Sequence, residues 1–343
     1  MRLKEEKNWR KIIIMEPNKM RFIGRHINKN GKEYFSFSGC GFEFILKPKA
    51  ANYSFILSLI SYLKEYDVQY IAIYLNDKFH SKEKLVEGLN KVEVQLNSGE
   101  ETLVRVVKLN EAYLSAIYLD DIVLNNAEFG EIKPSNKKLI GFYGDSLTCG
   151  FGLDGFHDEE FKMETEDYTK TCACLACLAL NMDYSVIARS GISVGIPIYV
   201  DKLFMEIYDT VDMIDKCVPD RKDDYAVINL GTNDAGAYSF IKDEKEQKTT
   251  LKTFHDKYLE LVERIIKDNP GAKLVFSYRM VNMDELFVNI IKEIKGYVNK
   301  HYDNQCELLE FKLNSDGACG HPYKTAHEEN SKLLINLIRK MEG

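Results

Sequence analysis

Four separated segments of the sequence contain the residue types that acyl transfer requires. Ser146 supplies a hydroxyl, which is a poor nucleophile until a neighbouring base takes its proton, and His321 is the candidate base. The tetrahedral intermediate also needs hydrogen-bond donors, and the backbone N–H groups of Ser146 and Gly191 together with the Asn233 side-chain amide are the candidates. These residues can form an active site if the fold brings their segments together.

Each of these segments follows a short apolar run that we predict to be a buried strand. The runs alternate with helical stretches, which favours a parallel sheet covered on both faces and connected by right-handed crossovers. Loops at the carboxyl ends of the strands in such a doubly wound sheet converge on one crevice. The predicted strands span 139–143, 184–188, 225–230, 274–278 and 307–311, and the predicted helices span 168–180, 251–267, 285–299 and 324–341.

The first part of the chain instead contains short β-rich runs, which favour an all-β sandwich domain. Four of these runs lie at 70–75, 92–96, 103–109 and 116–124. The turn signal Asn97-Ser98-Gly99 predicts a hairpin between two of them. We place a β-sandwich domain over 1–130 and an α/β domain over 137–343, separated by a polar segment. Between 34 and 46, apolar residues recur at spacing two, interrupted by two glycines: Phe35, Phe37, Phe42, Phe44 and Leu46.

In order and spacing, the four segments resemble the four blocks of the SGNH (GDSL-type) hydrolases. The strings 144–152 and 188–192 look in particular like carbohydrate esterase family 2, and so does the amino-terminal string 21–25 with the Phe-rich strands, which resembles the jelly roll of that family. The resemblance implies a doubly wound SGNH domain preceded by a jelly roll. The matching blocks are Gly144-Asp145-Ser146-Leu147, Gly191, Gly231-Thr232-Asn233-Asp234 and His321-Pro322.

The same resemblance implies a carbohydrate acetyl esterase that needs no metal and no organic cofactor. Ser146 would be the nucleophile, His321 the base, and Ser146, Gly191 and Asn233 would line the oxyanion hole. Many relatives carry an aspartate two or three residues before the histidine, where this chain has Cys319 and Ala318. Asp316 or a backbone carbonyl could orient the imidazole instead, and we favour a Ser/His dyad.

Two other functions remain open at this point. The same scaffold could act as a lipase, a thioesterase or an acyltransferase on a non-sugar acyl ester, since one fold hosts many substrates. Alternatively, the chain could be an inactive carbohydrate-binding relative that lost its activity together with the aspartate. Retention of the serine, glycine, asparagine and histidine argues against the second alternative.

Composition and charge narrow the choice of partners. The net charge is −7 and no basic block occurs, which argues against nucleic acid as a partner. No stretch reaches the roughly 18 apolar residues of a membrane helix.

The apolar run at 12–15 is too short for a signal-peptide core, so we expect a cytoplasmic protein. Nothing in the sequence specifies an oligomeric state.

Several residues near the blocks have plainer interpretations. Asp145 is expected to hydrogen-bond its own loop, and His157 to be a loop or substrate-contact residue rather than the base. The chain has eight cysteines, which we expect to be reduced. Three of them are expected to be buried helix residues rather than metal ligands: Cys172, Cys174 and Cys177.

Overall fold

Residues 18–343 are described by the computed structural model of the chain. The apolar run at 12–15 and the first part of the predicted β-sandwich domain lie outside this range. Eleven strands precede residue 130 in the described part: β1 (Arg21–Ile23), β2 (Ile27–Lys29), β3 (Lys32–Phe35), β4 (Gly41–Pro48), β5 (Tyr53–Leu63), β6 (Val68–Leu75), β7 (Lys78–Val86), β8 (Gly88–Leu96), β9 (Thr102–Lys108), β10 (Ser115–Asn125) and β11 (Ala127–Phe129).

These strands form two antiparallel sheets, as the sequence predicted. One sheet has the order β1-β4-β9-β6-β7, with β11 paired to β4, and the other has the order β2-β3-β10-β5-β8. The apolar residues that alternate between 34 and 46 are buried between the sheets: Phe35, Phe37, Phe42, Phe44 and Leu46 are each at most 1 % exposed. Burial of alternate side chains is what holds one face of each sheet against the other.

The predicted hairpin at Asn97-Ser98-Gly99 is wrong. Strand β8 pairs with β5 and strand β9 pairs with β4 and β6, so this turn crosses from one sheet to the other. Strand β7 was not predicted because it is an exposed edge strand with few apolar residues. Edge strands bury little surface and therefore show a weak alternation of apolar and polar residues.

The second half is built on a five-stranded parallel sheet of order β13-β12-β14-β15-β16. This order, which runs 2-1-3-4-5 along the chain, is that of a doubly wound sheet whose ligand crevice lies where the order reverses. The strands match the sequence prediction to within one residue at each end: β12 (Leu139–Gly144), β13 (Asp183–Ala188), β14 (Tyr225–Asn229), β15 (Lys273–Tyr278) and β16 (Cys306–Glu310).

Helices cover both faces of this sheet. Helix α2 packs against α7 on one face and α5 against α6 on the other, and alternate residues of β14 enter the two cores. In the described range, no helix combines the length and apolar character needed to cross a membrane. The helices are α1 (Ser146–Cys149), α2 (Cys172–Leu180), α3 (Phe204–Ile207), α4 (Thr232–Tyr238), α5 (Glu244–Asp268), α6 (Glu285–His301) and α7 (Lys324–Glu342).

Candidate active site

Ser146 stands at the carboxyl end of β12, which lies between β13 and β14, and it occupies the first position of α1. The strand ends at Gly144, and Asp145 caps the helix by accepting the N–H of Leu147 at 3.0 Å. A side chain at Gly144 would place its Cβ 2.0 Å from Oγ1 of Thr148, so only glycine allows this turn. Asp145 hydrogen-bonds its own loop as expected, and burial raises the pKa of its carboxyl to about 7.

His321 reaches Ser146 from the loop that follows the edge strand β16. Nε2 of the imidazole lies 2.9 Å from Oγ of the serine, which is hydrogen-bond distance for proton transfer. The histidine loop is tied to the loop that follows Ser146, because the N–H of Ala318 donates to the carbonyl oxygen of Gly152 at 3.0 Å. These contacts join two segments that lie 175 residues apart in the sequence.

The opposite side of the imidazole has no acidic partner. Nδ1 of His321 is buried and forms no hydrogen bond with any residue of the described chain. Asp316, the tentative orienting acid, instead accepts the side-chain N–H of Asn314 at 2.7 Å and is exposed. Asp316 is therefore not the partner of His321 in this structure, because the loop turns its carboxylate toward a residue of the same loop.

Packing takes the place of an acid around His321. The ring of Phe151 lies 4.5 Å from the imidazole, and Phe161 stacks on Phe151 at 4.0 Å. Burial lowers the pKa of His321 below its ordinary value, while the nearby backbone carbonyls of Cys319 and Ala318 act in the opposite direction. A histidine with a lowered pKa is neutral at pH 7, which is the state that can accept a proton from serine.

Gly191 lies at the end of the neighbouring strand β13. The carboxyl ends of the strands are level, since Gly144 is paired with Ala188 on one side and with Asn229 of β14 on the other. Gly191 has a φ of +76°, a conformation that other residues adopt only with strain. Its N–H and that of Ser146 form no hydrogen bond among residues 18–343, so both are available to an oxyanion.

Asn233 lies in the first turn of α4, at the end of β14. Its side-chain amide donates to the carbonyl oxygen of Ile192 at 2.9 Å, and it lies 3.5 Å from Oδ2 of Asp145. The second distance is at the limit of a hydrogen bond, so Asp145 binds that amide hydrogen only weakly. The structure therefore gathers all four sequence-predicted segments at one rim of the sheet.

Two carboxylates that support this rim were missed by the sequence interpretation. Asp234 accepts the backbone N–H groups of Val194, Gly195 and Ile196 at 2.9, 2.7 and 3.2 Å, and burial raises its pKa to about 6. Sequence reasoning could have identified Asp234, because it directly follows Asn233 in the matching block. Glu111, from the β-sandwich, accepts the N–H of Ser190 at 2.6 Å, and the sequence held no signal for this contact.

Other candidates take no part in the Ser146–His321 contact. His157 is exposed, and its Nδ1 lies 2.6 Å from the carbonyl oxygen of Ser315, beside the histidine loop. Cys172, Cys174 and Cys177 are buried in α2 as expected. His327 is buried, and its Nδ1 accepts the N–H of Cys172 at the start of α2.

Glu111, Cys149 and Glu166 form a buried group that resembles a metal-binding trio. Their side-chain ligand atoms all lie within 4.8 Å of one another. Burial raises the pKa of the Cys149 thiol well above its usual value, and a protonated thiol is a poor metal ligand. Both carboxyl groups also accept hydrogen bonds from the protein, so the group is better described as part of the contact between the two domains.

Comparison with known proteins places this geometry in a family. The family model for GDSL-like lipase/acylhydrolases matches residues 140–334. An acetylxylan esterase/glucomannan deacetylase from Cellvibrio japonicus is 25 % identical over 225 residues, which is 61 % of this chain and 61 % of that protein. The cellulase/esterase CelE of Acetivibrio thermocellus is 27 % identical over 229 residues, which is 62 % of this chain but 26 % of that protein.

Solved structures extend the likeness to both domains. A family two carbohydrate esterase from Clostridium thermocellum, in complex with cellohexaose, superimposes with a TM-score of 0.84 at 18 % identity. The superposition covers 94 % of this chain and 99 % of that one, so it includes the β-sandwich as well as the parallel sheet. The chain thus belongs to the GDSL-like lipase/acylhydrolase family and has the two-domain fold of a family two carbohydrate esterase.

Proposed function

We propose that this protein is an O-acetyl esterase that removes acetyl groups from acetylated sugars or oligosaccharides. The observation that carries the proposal is the 2.9 Å contact between Oγ of Ser146 and Nε2 of His321, beside two backbone N–H donors that no residue of 18–343 accepts. The choice of acetylated carbohydrate is supported by the two relatives whose names state esterase or deacetylase activity. The matched segments cover 61 % and 26 % of those proteins.

In the first half of the reaction, Oγ of Ser146 attacks the acetyl carbonyl while its proton passes to Nε2 of His321. The carbonyl oxygen becomes an oxyanion that the N–H groups of Ser146 and Gly191 and the amide of Asn233 can bind. Such donors act in a site that excludes water, where each can contribute about 10² to 10³ in rate. The imidazolium then returns its proton to the departing sugar hydroxyl, leaving an acetylated serine.

In the second half, the same groups release acetate. A water molecule takes the place of the sugar, His321 accepts its proton, and the resulting hydroxide attacks the acetyl-serine. The second tetrahedral intermediate collapses when the imidazolium protonates Ser146, which restores the free enzyme. The reaction needs a base that is neutral at the start, and the lowered pKa of the half-buried His321 provides one.

We propose that a Ser/His dyad carries this chemistry without an acid. In a triad, the acid holds the imidazole in one tautomer and stabilises the imidazolium. In this chain the ring of Phe151 packs against the imidazole and can restrict its orientation by contact alone. Loss of the acid weakens a triad without abolishing it, since binding and the oxyanion hole retain part of the acceleration.

Replacement of the nucleophile tests the function. Ser146→Ala should leave the fold intact and reduce acetate release from acetylated xylo-oligosaccharides and from an aryl acetate by about 10³-fold or more. Ser98→Ala, in the turn between the two sheets of the β-sandwich, is the matched control and should retain full activity. Acetate is measured by NMR, and the intact mass of the protein during turnover should show an acetyl adduct in the control alone.

Acyl-chain preference separates this proposal from the same chemistry on another substrate. Aryl esters from acetate to octanoate should be cleaved with the highest kcat/KM at acetate. Faster cleavage of the long chains would contradict the assignment to sugar acetates and favour a lipase or thioesterase. Binding of sugars without any turnover over the same panel would favour a carbohydrate-binding protein instead.

A further inference from the structure

Glu111 of the β-sandwich domain is fully buried beside the candidate oxyanion hole of the other domain. The residue lies in the loop between β9 and β10. Its Oε2 accepts the backbone N–H of Ser190 at 2.6 Å, and its Oε1 accepts the hydroxyl of the same serine. A single carboxylate thus holds at two points the residue that precedes Gly191.

We propose that Glu111 is a positioning residue that aims the N–H of Gly191 at the oxyanion, so that the β-sandwich domain is part of the active centre. This inference rests on the proposed acyl-transfer function. The Gly191 N–H belongs to the peptide bond that joins it to Ser190, so fixing Ser190 restricts the direction of that N–H. Glycine resists rotation least of all residues, so an external constraint has most effect there.

Neighbouring groups fix Glu111 in turn. The side-chain nitrogen of Lys108, which is also fully buried, donates to the backbone carbonyls of Asn110 and Glu111. The N–H of Glu111 donates to Glu166 at 3.1 Å, and the side chain of Asn110 donates to the carbonyl oxygen of Met163 at 2.8 Å. Lys108 and Asn110 come from the same domain as Glu111, and Glu166 and Met163 from the other, so both domains hold the backbone from which the carboxylate extends.

Burial and the groups around Glu111 act on its pKa in opposite directions. Burial raises the pKa of both Glu111 and Glu166, and two adjacent buried carboxyls do not both ionise readily. The N–H and hydroxyl of Ser190 and the nearby charge of Arg189 favour the ionised form of Glu111. Oε1 of Glu166 is buried without a hydrogen-bond partner among residues 18–343, and burial raises the pKa of this carboxyl well above its usual value.

Glu111 is not needed merely to hold the two domains together. The hydroxyl of Tyr34 donates to Asp212 at 2.6 Å, and Arg25 donates to the backbone carbonyls of Tyr208 and Thr210. These contacts also join the β-sandwich to the α/β domain, and none of them involves the Gly191 loop. A role of Glu111 in positioning can therefore be separated from a role in docking.

The variant Glu111→Gln tests the inference. Glutamine has the same size, but its NH2 group would face one of the two donors of Ser190. We expect kcat for an aryl acetate to fall by about 10- to 100-fold with KM changed by less than about threefold, since a misplaced donor weakens transition-state binding. Glu43→Gln is the matched control: Glu43 is a buried glutamate of the same domain, paired with Arg21 and Arg105. It should lower Tm without lowering kcat.

Ser190→Ala supplies a second, milder variant. It removes the hydroxyl donor and keeps the N–H donor, so we expect a smaller loss of kcat than in Glu111→Gln. In the double variant the two losses should not add, because both act through one contact. Additive losses, or a folded Glu111→Gln and a folded Ser190→Ala that both retain full kcat, would overturn the proposal. If Glu111→Gln fails to fold, Ser190→Ala alone tests the proposal: a reduced kcat supports it and a full kcat overturns it.

A reagent that is not an ester separates this inference from the proposed substrate. In a reaction with an alkyl fluorophosphonate, Oγ of Ser146 bonds to phosphorus, fluoride leaves, and the serine proton passes to His321, while the phosphoryl oxygen occupies the oxyanion hole. Slower labelling of the variants by the same factor as kcat supports the positioning role, even if the protein cleaves no acetyl ester. Equal rates in all folded variants overturn it, and no labelling of the unsubstituted protein overturns both proposals.

Discussion

The oxyanion side and the histidine side of the site are held by different forces. On the oxyanion side, three buried carboxylates each accept backbone N–H groups of the loops that follow β12 and β13: Asp145, Asp234 and Glu111. On the histidine side, Nδ1 of His321 has no hydrogen-bond partner in residues 18–343 and the imidazole packs against an aromatic ring. Charged hydrogen-bond acceptors orient the first side, whereas on the second side an aromatic ring packs against the imidazole and backbone hydrogen bonds hold its loop.

This difference follows from what each side does. Oxyanion donors must point at one place before the reaction, and charged hydrogen bonds fix a direction better than apolar contacts do. The base must be neutral and within reach, and an apolar surrounding promotes neutrality by disfavouring the imidazolium. Replacing an acid by its amide should therefore disturb the oxyanion donors. Replacing an aromatic side chain by a smaller one should disturb the histidine.

The largest effect is expected from removal of the base, on which both sides depend. His321→Gln keeps a polar side chain but cannot take the serine proton, so kcat on an aryl acetate should fall by about 10³-fold or more. The exposed His255→Gln in α5 is the control and should be unchanged. More than about one tenth of the activity remaining in a folded His321→Gln protein would show that another group acts as the base.

A loss of about 10- to 100-fold in kcat is expected from Asp234→Asn. The amide keeps the volume but replaces one acceptor oxygen with a donor, which cannot bind the N–H groups of Val194, Gly195 and Ile196. Asp223→Asn is the control, because Asp223 is also buried but lies before the amino end of β14, where it accepts the hydroxyl of Tyr143. Equal losses in both variants would mean that Asp234 contributes stability rather than position.

The pH dependence of kcat/KM tests the packing around His321. Because burial lowers the pKa of His321, kcat/KM should stay high to below pH 6.5 and then fall about tenfold per unit as the imidazole is protonated. Phe151→Leu should admit water and move this acidic limb upward, toward pH 6.5. Phe79→Leu, on the exposed edge strand β7, should leave the profile unchanged. An acidic limb of the unsubstituted protein at or above pH 6.5 would contradict the effect of burial.

The smallest effect is expected from Asp316→Asn. The carboxylate is bonded to Asn314 and not to the imidazole, so kcat and the pH profile should remain within about twofold of the unsubstituted protein. The kinetics should be measured with the same aryl acetate and compared with those of Asp234→Asn. A loss of more than about tenfold would show that the loop rearranges to bring Asp316 to His321 during the reaction.

Much of the architecture could be predicted because it depends on local patterns. The alternation at Phe42, Phe44 and Leu46 identifies a strand with one buried face, and the parallel strands of the second half follow from their apolar runs. The turn at Asn97-Ser98-Gly99 was recognised, but its partner strands were not, because pairing depends on the whole sheet.

The sequence by itself determined which four segments could form a site, since each follows a strand of one parallel sheet and such ends converge. Only the tertiary structure decided what surrounds them. The packing of Phe151 against His321 and the contact of Glu111 with Ser190 join residues far apart in the chain, and the direction taken by Asp316 depends on how its loop folds. Such contacts cannot be predicted from composition or motif spacing, because they form only when distant parts of the chain pack together.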